Sequence, residues 1–342
     1  MKILVAGGAG FIGSHYVRTL ISGAYPGFTD ARVTVLDKLT YAGNLANLQA
    51  VANDPRFTFF RGDICDAALV GAVARDHDIV INFAAETHVD RSIVGASDFV
   101  AANVAGVQVL LQACLDAGVR RVVQVSTDEV YGSVARGSWS EDAPLAPNSP
   151  YAAAKAGGDL LARAYFRTHG LDVLVTRCVN NYGPYQFPEK VIPLFATNLL
   201  DGLAVPLYGE GGNVRGWVHV DDHCRAIQLV LERGQAGDIY HIGGDVELTN
   251  IQLTQALLDC CGASWDMVTR VEDRRGHDRR YSLDDSALRA LGYAPRTPFA
   301  EGLRATVQWY RDNRSWWEPL KSPPGEPGPR LQARSASAQG AP

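Results

Sequence analysis

Three glycines spaced three apart, Gly7, Gly10 and Gly13, stand in the stretch GGAGFIG, between the apolar run Ile3–Ala6 and a segment with helical spacing. That order narrows the possible folds. A strand that ends in a glycine turn and restarts at once as a helix aims backbone N–H groups and a helix dipole at one spot, which suits a phosphate. Gly7 can make the tight turn, Gly10 lets a pyrophosphate reach the backbone, and Gly13 lets helix and strand pack closely. A glycine triplet alone is a weak signal; the strand before it and the helix after it give it weight.

The rest of the chain repeats this alternation. Residues 2–6, 32–36, 57–61, 78–84, 121–126 and 172–177 read as strands, so nearly continuous in apolar side chains that both faces are expected to be buried. Residues 11–22, 66–75, 98–117 and 151–168 read as helices. Right-handed crossovers then predict an α/β fold, a doubly wound parallel sheet of Rossmann type. The segment Asp98–Leu115 is apolar on nearly every face, which suits a core or a subunit contact. Ser149 can cap the helix that Pro150 opens. From Asn180 to Trp217 glycine, proline and aromatics become frequent; a helical stretch near 222–233 and a strand-like run at 238–242 follow. Two lobes are expected: residues 1–178 with about 216–244, and a smaller C-terminal substrate-binding lobe of about 179–215 with 245–315. Residues 318–342 lack apolar periodicity and read as disordered.

The 342 residues, 46% hydrophobic, suffice for a large core, and a net charge of -5 suggests no nucleic-acid or membrane-surface partner. No apolar run reads as membrane-spanning, and the first residues lead into the glycine motif without a signal-peptide pattern, so a cytoplasmic enzyme is expected. Cys65, Cys114, Cys178, Cys224, Cys260 and Cys261 form no C-x-x-C pair and read as reduced thiols. His219 and His223 lie four apart but lack the H-E-x-x-H pattern; no metal is expected.

Asp37 ends the second strand, where a carboxylate would bond a ribose 2′-hydroxyl and repel a 2′-phosphate, favouring NAD over NADP; the alternative is a solvated strand end. Asp63, after the third strand, could meet the adenine amino group. Tyr151 and Lys155 lie one helical turn apart on one face. A nearby ammonium and a positive nicotinamide would favour the phenolate, allowing tyrosine to accept a hydroxyl proton. Y-x-x-x-K also occurs by chance on surface helices. The strand ending at Ser126 delivers Thr127, Asp128 and Glu129 to the carboxyl edge of the sheet, where ligands bind in open α/β folds. Two adjacent carboxyls there suit a solvated turn, or an acid and a base beyond what alcohol oxidation needs. Elimination of water needs both.

The motifs GGAGFIG (7–13), LDKLTYAGN (36–44), AAETHVDRSI (84–93), STDEVYG (126–132), YAAAKAGGDLLARAY (151–165), NNYGPYQFPEKVIP (180–193), YGEGGNVRGWVHVDDH (208–223) and GHDRRYSLD (276–284) are collinear. Together they resemble the extended short-chain dehydrogenase/reductase family, and within it the dTDP-glucose 4,6-dehydratases, from about residue 2 to 315. The resemblance implies that Tyr151 takes the sugar 4-hydroxyl proton as hydride passes from C4 to NAD, with Thr127 holding the oxygen and assisting. It implies that Glu129 removes the C5 proton, Asp128 protonates the departing 6-hydroxyl, and hydride returns to C6. It places Gly7, Gly10, Phe11, Ile12, Gly13, Asp37, Lys38, Thr40, Asp63, Ile64, Ala84, Ala85, Thr87, Tyr151, Lys155, Cys178 and Asn181 around NAD. It places Asn180, Lys190, Arg215, Asn250, His277 and Tyr281 around the nucleotide diphosphate, and Glu86, His88, Arg91 and Thr127 by the sugar. It also implies a homodimer. Arg275 stands where the family pattern has proline. The rival readings are a sugar-nucleotide 4-epimerase, a dehydratase for another nucleotide sugar, and a catalytically silent NAD-binding protein.

Overall fold

The computed structural model describes residues 1–321. Its twelve strands are β1 (Lys2–Ala6), β2 (Arg32–Asp37), β3 (Phe57–Arg61), β4 (Ile79–Asn82), β5 (Arg121–Thr127), β6 (Val173–Cys178), β7 (Asn180–Tyr182), β8 (Val205–Tyr208), β9 (Val214–His219), β10 (Ile239–Ile242), β11 (Val246–Thr249) and β12 (Val268–Val271). Seven of them form one parallel sheet in the order β10-β6-β5-β4-β1-β2-β3. The chain steps outwards from β1 to β3, then crosses back to β4 and continues on the other side. The carboxyl ends of β1 and β4 therefore open on a switch point, where such sheets bind ligands.

Each face of the sheet is closed by helices. Phe11–Ile21 and Val220–Arg233 bury Tyr16, Val17, Ile227 and Val230 against Ile3, Val5 and Val35. Ala67–Ala74, Val107–Ala117 and Pro150–His169 bury Val70, Leu110, Leu111 and Ala162 against Leu4, Val80 and Val122. The central strands are buried along both faces, as their apolar runs predict. β3 differs: it is the sheet edge, its faces are only half-covered, and Phe60 is 43% exposed. An apolar run reports strand propensity, but position in the sheet decides burial.

A third cluster gathers Tyr182, Phe195, Trp217, Leu257, Leu303, Tyr310 and Trp317 around the helices Val191–Leu200, Asn250–Cys261 and Phe299–Asp312. Trp317 is fully buried there, and Glu318–Leu320 continues as a 3-10 turn, so the ordered chain passes the expected limit at 315. The remainder of the tail expected to be disordered, 322–342, lies outside the described residues.

The helical stretch Ser97–Ala117 is, by length and apolarity, long enough to cross a membrane, contrary to the sequence expectation. Half of its apolar window is buried inside the protein, which fits a core helix. Its middle, Ala101–Gly106, is a widened π turn.

Candidate active site

One cavity of about 420 Å³ opens at the switch point. Its floor is the glycine turn. Gly7 has φ +73, and a Cβ there would lie 2.4 Å from the Ala84 nitrogen. A Cβ on Gly13 would lie 2.4 Å from the Gly7 carbonyl oxygen. At Gly10 it would meet only that oxygen, at 3.4 Å, so the approach to the loop is open. The N–H groups of Phe11 and Ile12 precede the first helical bond, Ser14 N–H to Gly10 C=O at 3.0 Å. These features fit a dinucleotide pyrophosphate.

Asp37 does structural work that its position in the sequence did not reveal. Its carboxylate accepts from Ala9 N–H at 3.0 Å and from Leu39 N–H at 2.8 Å. It thereby orders the glycine loop and holds Leu39 in the left-handed region, φ 59. Lys38 pairs with Asp63 at 3.2 Å. Asp37 ends β2, and Lys38, Thr40, Asp63, Ile64 and Ala84 follow the ends of β2, β3 and β4; none of the six lines the cavity. Gly7, Gly10, Phe11, Ile12, Gly13, Ala85, Thr87, Cys178 and Asn181 line it.

Thr127, Asp128, Glu129, Tyr151 and Lys155 line the same cavity. β5 ends at Thr127, and Asp128–Tyr131 forms a 3-10 turn that Thr127 caps by accepting from Glu129 N–H at 3.3 Å. Tyr131 anchors that turn from below: Arg177 donates to its hydroxyl and to Asp159 at 2.9 Å, all within the core. Ser149 caps the helix Pro150–His169 by accepting from Ala152 N–H at 3.1 Å, as expected, and so sets where Tyr151 emerges.

Burial raises both carboxyls of the pair. Asp128 is 2% exposed, and burial together with the neighbouring Glu129 pushes its carboxyl up to about 8. One of its oxygens bonds the Thr127 hydroxyl at 3.2 Å; the other, Oδ2, is buried with no partner. Burial raises Glu129 as well, opposed by Arg215, Arg274 and Lys190. The expected lowering of Tyr151 by Lys155 is not what this geometry gives. The Lys155 ammonium donates to the Val125 carbonyl at 2.6 Å, and burial lowers its own pKa. Burial, then Glu129, holds the Tyr151 phenol well above its usual range, and a hydrogen bond with Thr127 opposes this.

The opposite wall is basic. Lys190, Arg215, Asn250, His277 and Tyr281 line it, together with Asn180 and His88. Arg215 lies 4.2 Å over the Tyr281 ring, and its guanidinium donates to the Asp278 carbonyl at 2.9 Å. Lys190 donates to the Thr87 carbonyl at 2.8 Å. Arg91 and Glu86 stand behind the wall: Arg91 pairs with Glu189 at 3.0 Å and stacks 3.8 Å over Tyr41. The Glu86 backbone is held by Asn103. The sequence reading missed Arg274, Asp90 and Gln186, which also line the cavity. Arg274 stands beside Arg275 and three residues before His277, both already singled out, so its charge was the available signal. His219 caps the helix Val220–Arg233, and His223 bonds Asn181 at 2.7 Å; the two do not converge on one point.

A parallel sheet with a glycine turn, a Tyr-Lys helix and a basic nucleotide wall defines a nucleotide-sugar enzyme of the short-chain dehydrogenase/reductase type. The chain belongs to the GDP-mannose 4,6 dehydratase family, whose model matches residues 4–306. It is 61% identical over 332 residues to a dTDP-glucose 4,6-dehydratase of Streptomyces niveus, covering 96% of this chain and 99% of that protein. It is 64% identical to the dTDP-glucose 4,6-dehydratase of Streptomyces venezuelae, solved with NAD and TDP bound. The TM-score is 0.93, with 94% of this chain and 100% of that one covered. A UDP-glucose 4-epimerase of Thermotoga maritima is 31% identical, with a TM-score of 0.84 over 92% of this chain and 100% of that one.

Proposed function

We propose that this chain is an NAD-dependent hydro-lyase that converts dTDP-glucose to dTDP-4-keto-6-deoxyglucose and water. The observation that carries this reading is the Asp128–Glu129 pair beside Tyr151. A 4-epimerase has no use for a carboxyl held protonated at neutral pH next to a second carboxyl, whereas elimination needs an acid and a base.

When bound, NAD supplies reversible two-electron oxidation of the sugar and a positive ring that favours the Tyr151 phenolate. Gly7, Gly10, Phe11, Ile12, Gly13, Asp37 and their neighbours at the strand ends would hold it. Tyr151 accepts the 4-hydroxyl proton, and Thr127 fixes the 4-oxygen. The resulting ketone acidifies C5, whose proton goes to Glu129. Asp128 gives its proton to the 6-hydroxyl, which leaves as water, and C5 is reprotonated. The electrons taken from C4 are restored at C6, so no net redox change occurs. Arg215, Lys190, Asn250 and His277 bind the diphosphate; the planar fork of Arg215 suits its paired oxygens.

In this reading residues 1–178 with about 216–244 carry NAD, and about 179–215 with 245–315 carry the sugar nucleotide. The chain works as a cytoplasmic homodimer. Val100, 51% exposed, and Leu160, 54% exposed, lie on the adjacent helical segments Ser97–Ala117 and Pro150–His169 and offer an apolar face for a second copy.

The test is incubation of the purified protein with dTDP-glucose, followed by mass spectrometry. The expected product is lighter by one water, with no net accumulation of reduced cofactor. Glu129→Gln should slow water loss at least about 100-fold while C4 oxidation persists, so that reduced cofactor builds up. Conversion to the galactose epimer without loss of mass would overturn the reading. Water loss only from a UDP, CDP or GDP sugar would keep the chemistry and change the nucleotide.

A further inference from the structure

The geometry points to Trp316 as a positioning residue for the dinucleotide, acting through Asn47 to hold the glycine-rich loop in its binding shape and slow cofactor release. This rests on the reading of the cavity as an NAD site.

Trp316 lies in the helical turn Arg314–Trp317, near the end of the described chain. Its indole Nε1–H donates to Asn47 Oδ1 at 2.9 Å, although the two residues are 269 positions apart. Asn47 is 2% exposed, and its Nδ2 donates to the Ala9 carbonyl at 2.9 Å. An indole nitrogen is only a donor, so the Asn47 oxygen must face Trp316 and the amide nitrogen must face Ala9. Without the indole, the Asn47 oxygen loses its donor and the amide is fixed from one side only, by the Ala9 carbonyl. Ala9 is the residue between Gly8 and Gly10. Its N–H is taken by Asp37 at 3.0 Å, and its carbonyl also accepts from Asn44 N–H at 3.1 Å. With both peptide groups held, the loop ahead of the Phe11 and Ile12 N–H donors cannot rotate.

The same indole also packs against the segment that follows β7. It packs 5.5 Å from Tyr185, which also lies 4.5 Å from Trp309 and 4.3 Å beneath the Arg18 guanidinium. Tyr185 has φ 68, a conformation that a bulky residue keeps only when its surroundings impose it. The next two residues, Gln186 and Phe187, line the cavity. Arg18 closes the circuit by donating to the Asn47 carbonyl. Trp316 thus braces the phosphate loop and the 185–187 wall at once. A cofactor that must receive electrons and return them within one turnover gains from slow release.

The experiment uses the full chain loaded with NAD and measures exchange of bound NAD against labelled NAD in excess. Trp316→Phe keeps the ring packing and removes only the N–H. Release is expected to speed up about 5-fold, the size of one hydrogen bond. The sugar-nucleotide KM at saturating NAD should stay at the parent value, while the Tm falls slightly because the buried Asn47 oxygen loses its partner. Asn47→Ala should act in the same direction, and adding Trp316→Phe to it should give no further increase, because both act through one contact. Unchanged release in Trp316→Phe, or a shifted KM with unchanged release, would overturn the inference and leave the NAD reading intact. A parent protein that takes up no NAD would overturn both.

Discussion

Burial and Glu129 hold the Asp128 carboxyl up to about 8, and the acid role depends on that proton. Activity should therefore fall as pH rises through about 8, and Asp128→Asn should lose at least about 100-fold in kcat at neutral pH. The descending limb of the kcat profile should vanish in that variant. Stability carries the same signature with a definite sign. Between the ordinary carboxyl value of 3.8 and about 8, the folded protein keeps a proton that the unfolded chain releases. The parent should thus lose stability as pH rises across this window, and Asp128→Asn should lose less, as measured by urea unfolding. Tyr151 is shifted the other way from what its task requires, so its phenolate depends on positive charge brought by the cofactor and not on Lys155 alone.

Among the elements, the π turn Ala101–Gly106 has a clear geometric result. It places Asn103, almost fully buried, opposite the loop that follows β4. Asn103 Oδ1 accepts from Glu86 N–H at 3.0 Å and its Nδ2 donates to the Glu86 carbonyl at 2.9 Å, so one side chain satisfies both backbone groups. Thr87 and His88, the next residues, line the cavity. Asn103→Leu should cost about 1–3 kcal/mol of stability, because it leaves a buried donor and acceptor unpaired. It should also raise the sugar-nucleotide KM. Thermal unfolding and steady-state kinetics check the two halves separately.

At the scale of the whole molecule, the apolar surface around Val100 and Leu160 is the proposed contact with a second copy. Ile93 and Val94, 40% and 63% exposed, extend it along the short helix Val89–Val94. Leu160→Glu should place a charge in the centre of the proposed contact. Sedimentation should then give the mass of one 36.9 kDa chain, against two for the parent. A parent that already sediments as one chain would remove the dimer.

The local parts were legible in the sequence. Glycine spacing, strand alternation, the Ser149 cap and the Thr127–Asp128–Glu129 strand end follow from short-range rules, in which backbone freedom, side-chain period and hydrogen-bonding residues act within a few positions. The class of fold and the chemistry of the turn could be read from them. Other features depend on neighbours brought in from distant positions. That Phe60 sits on an open edge, that the apolar stretch 97–117 is half core, and that Asp37 binds the glycine loop all follow from strand order and packing. The Asp128 shift needs the surrounding burial, the tether of Lys155 needs the Val125 carbonyl, and Arg274 reaches the cavity only because β12 lies beside β8. Sequence alone determined which groups were present and how each short segment folds. Tertiary structure decided their surroundings, since desolvation and contact at long separation are properties of the packed molecule and not of any segment.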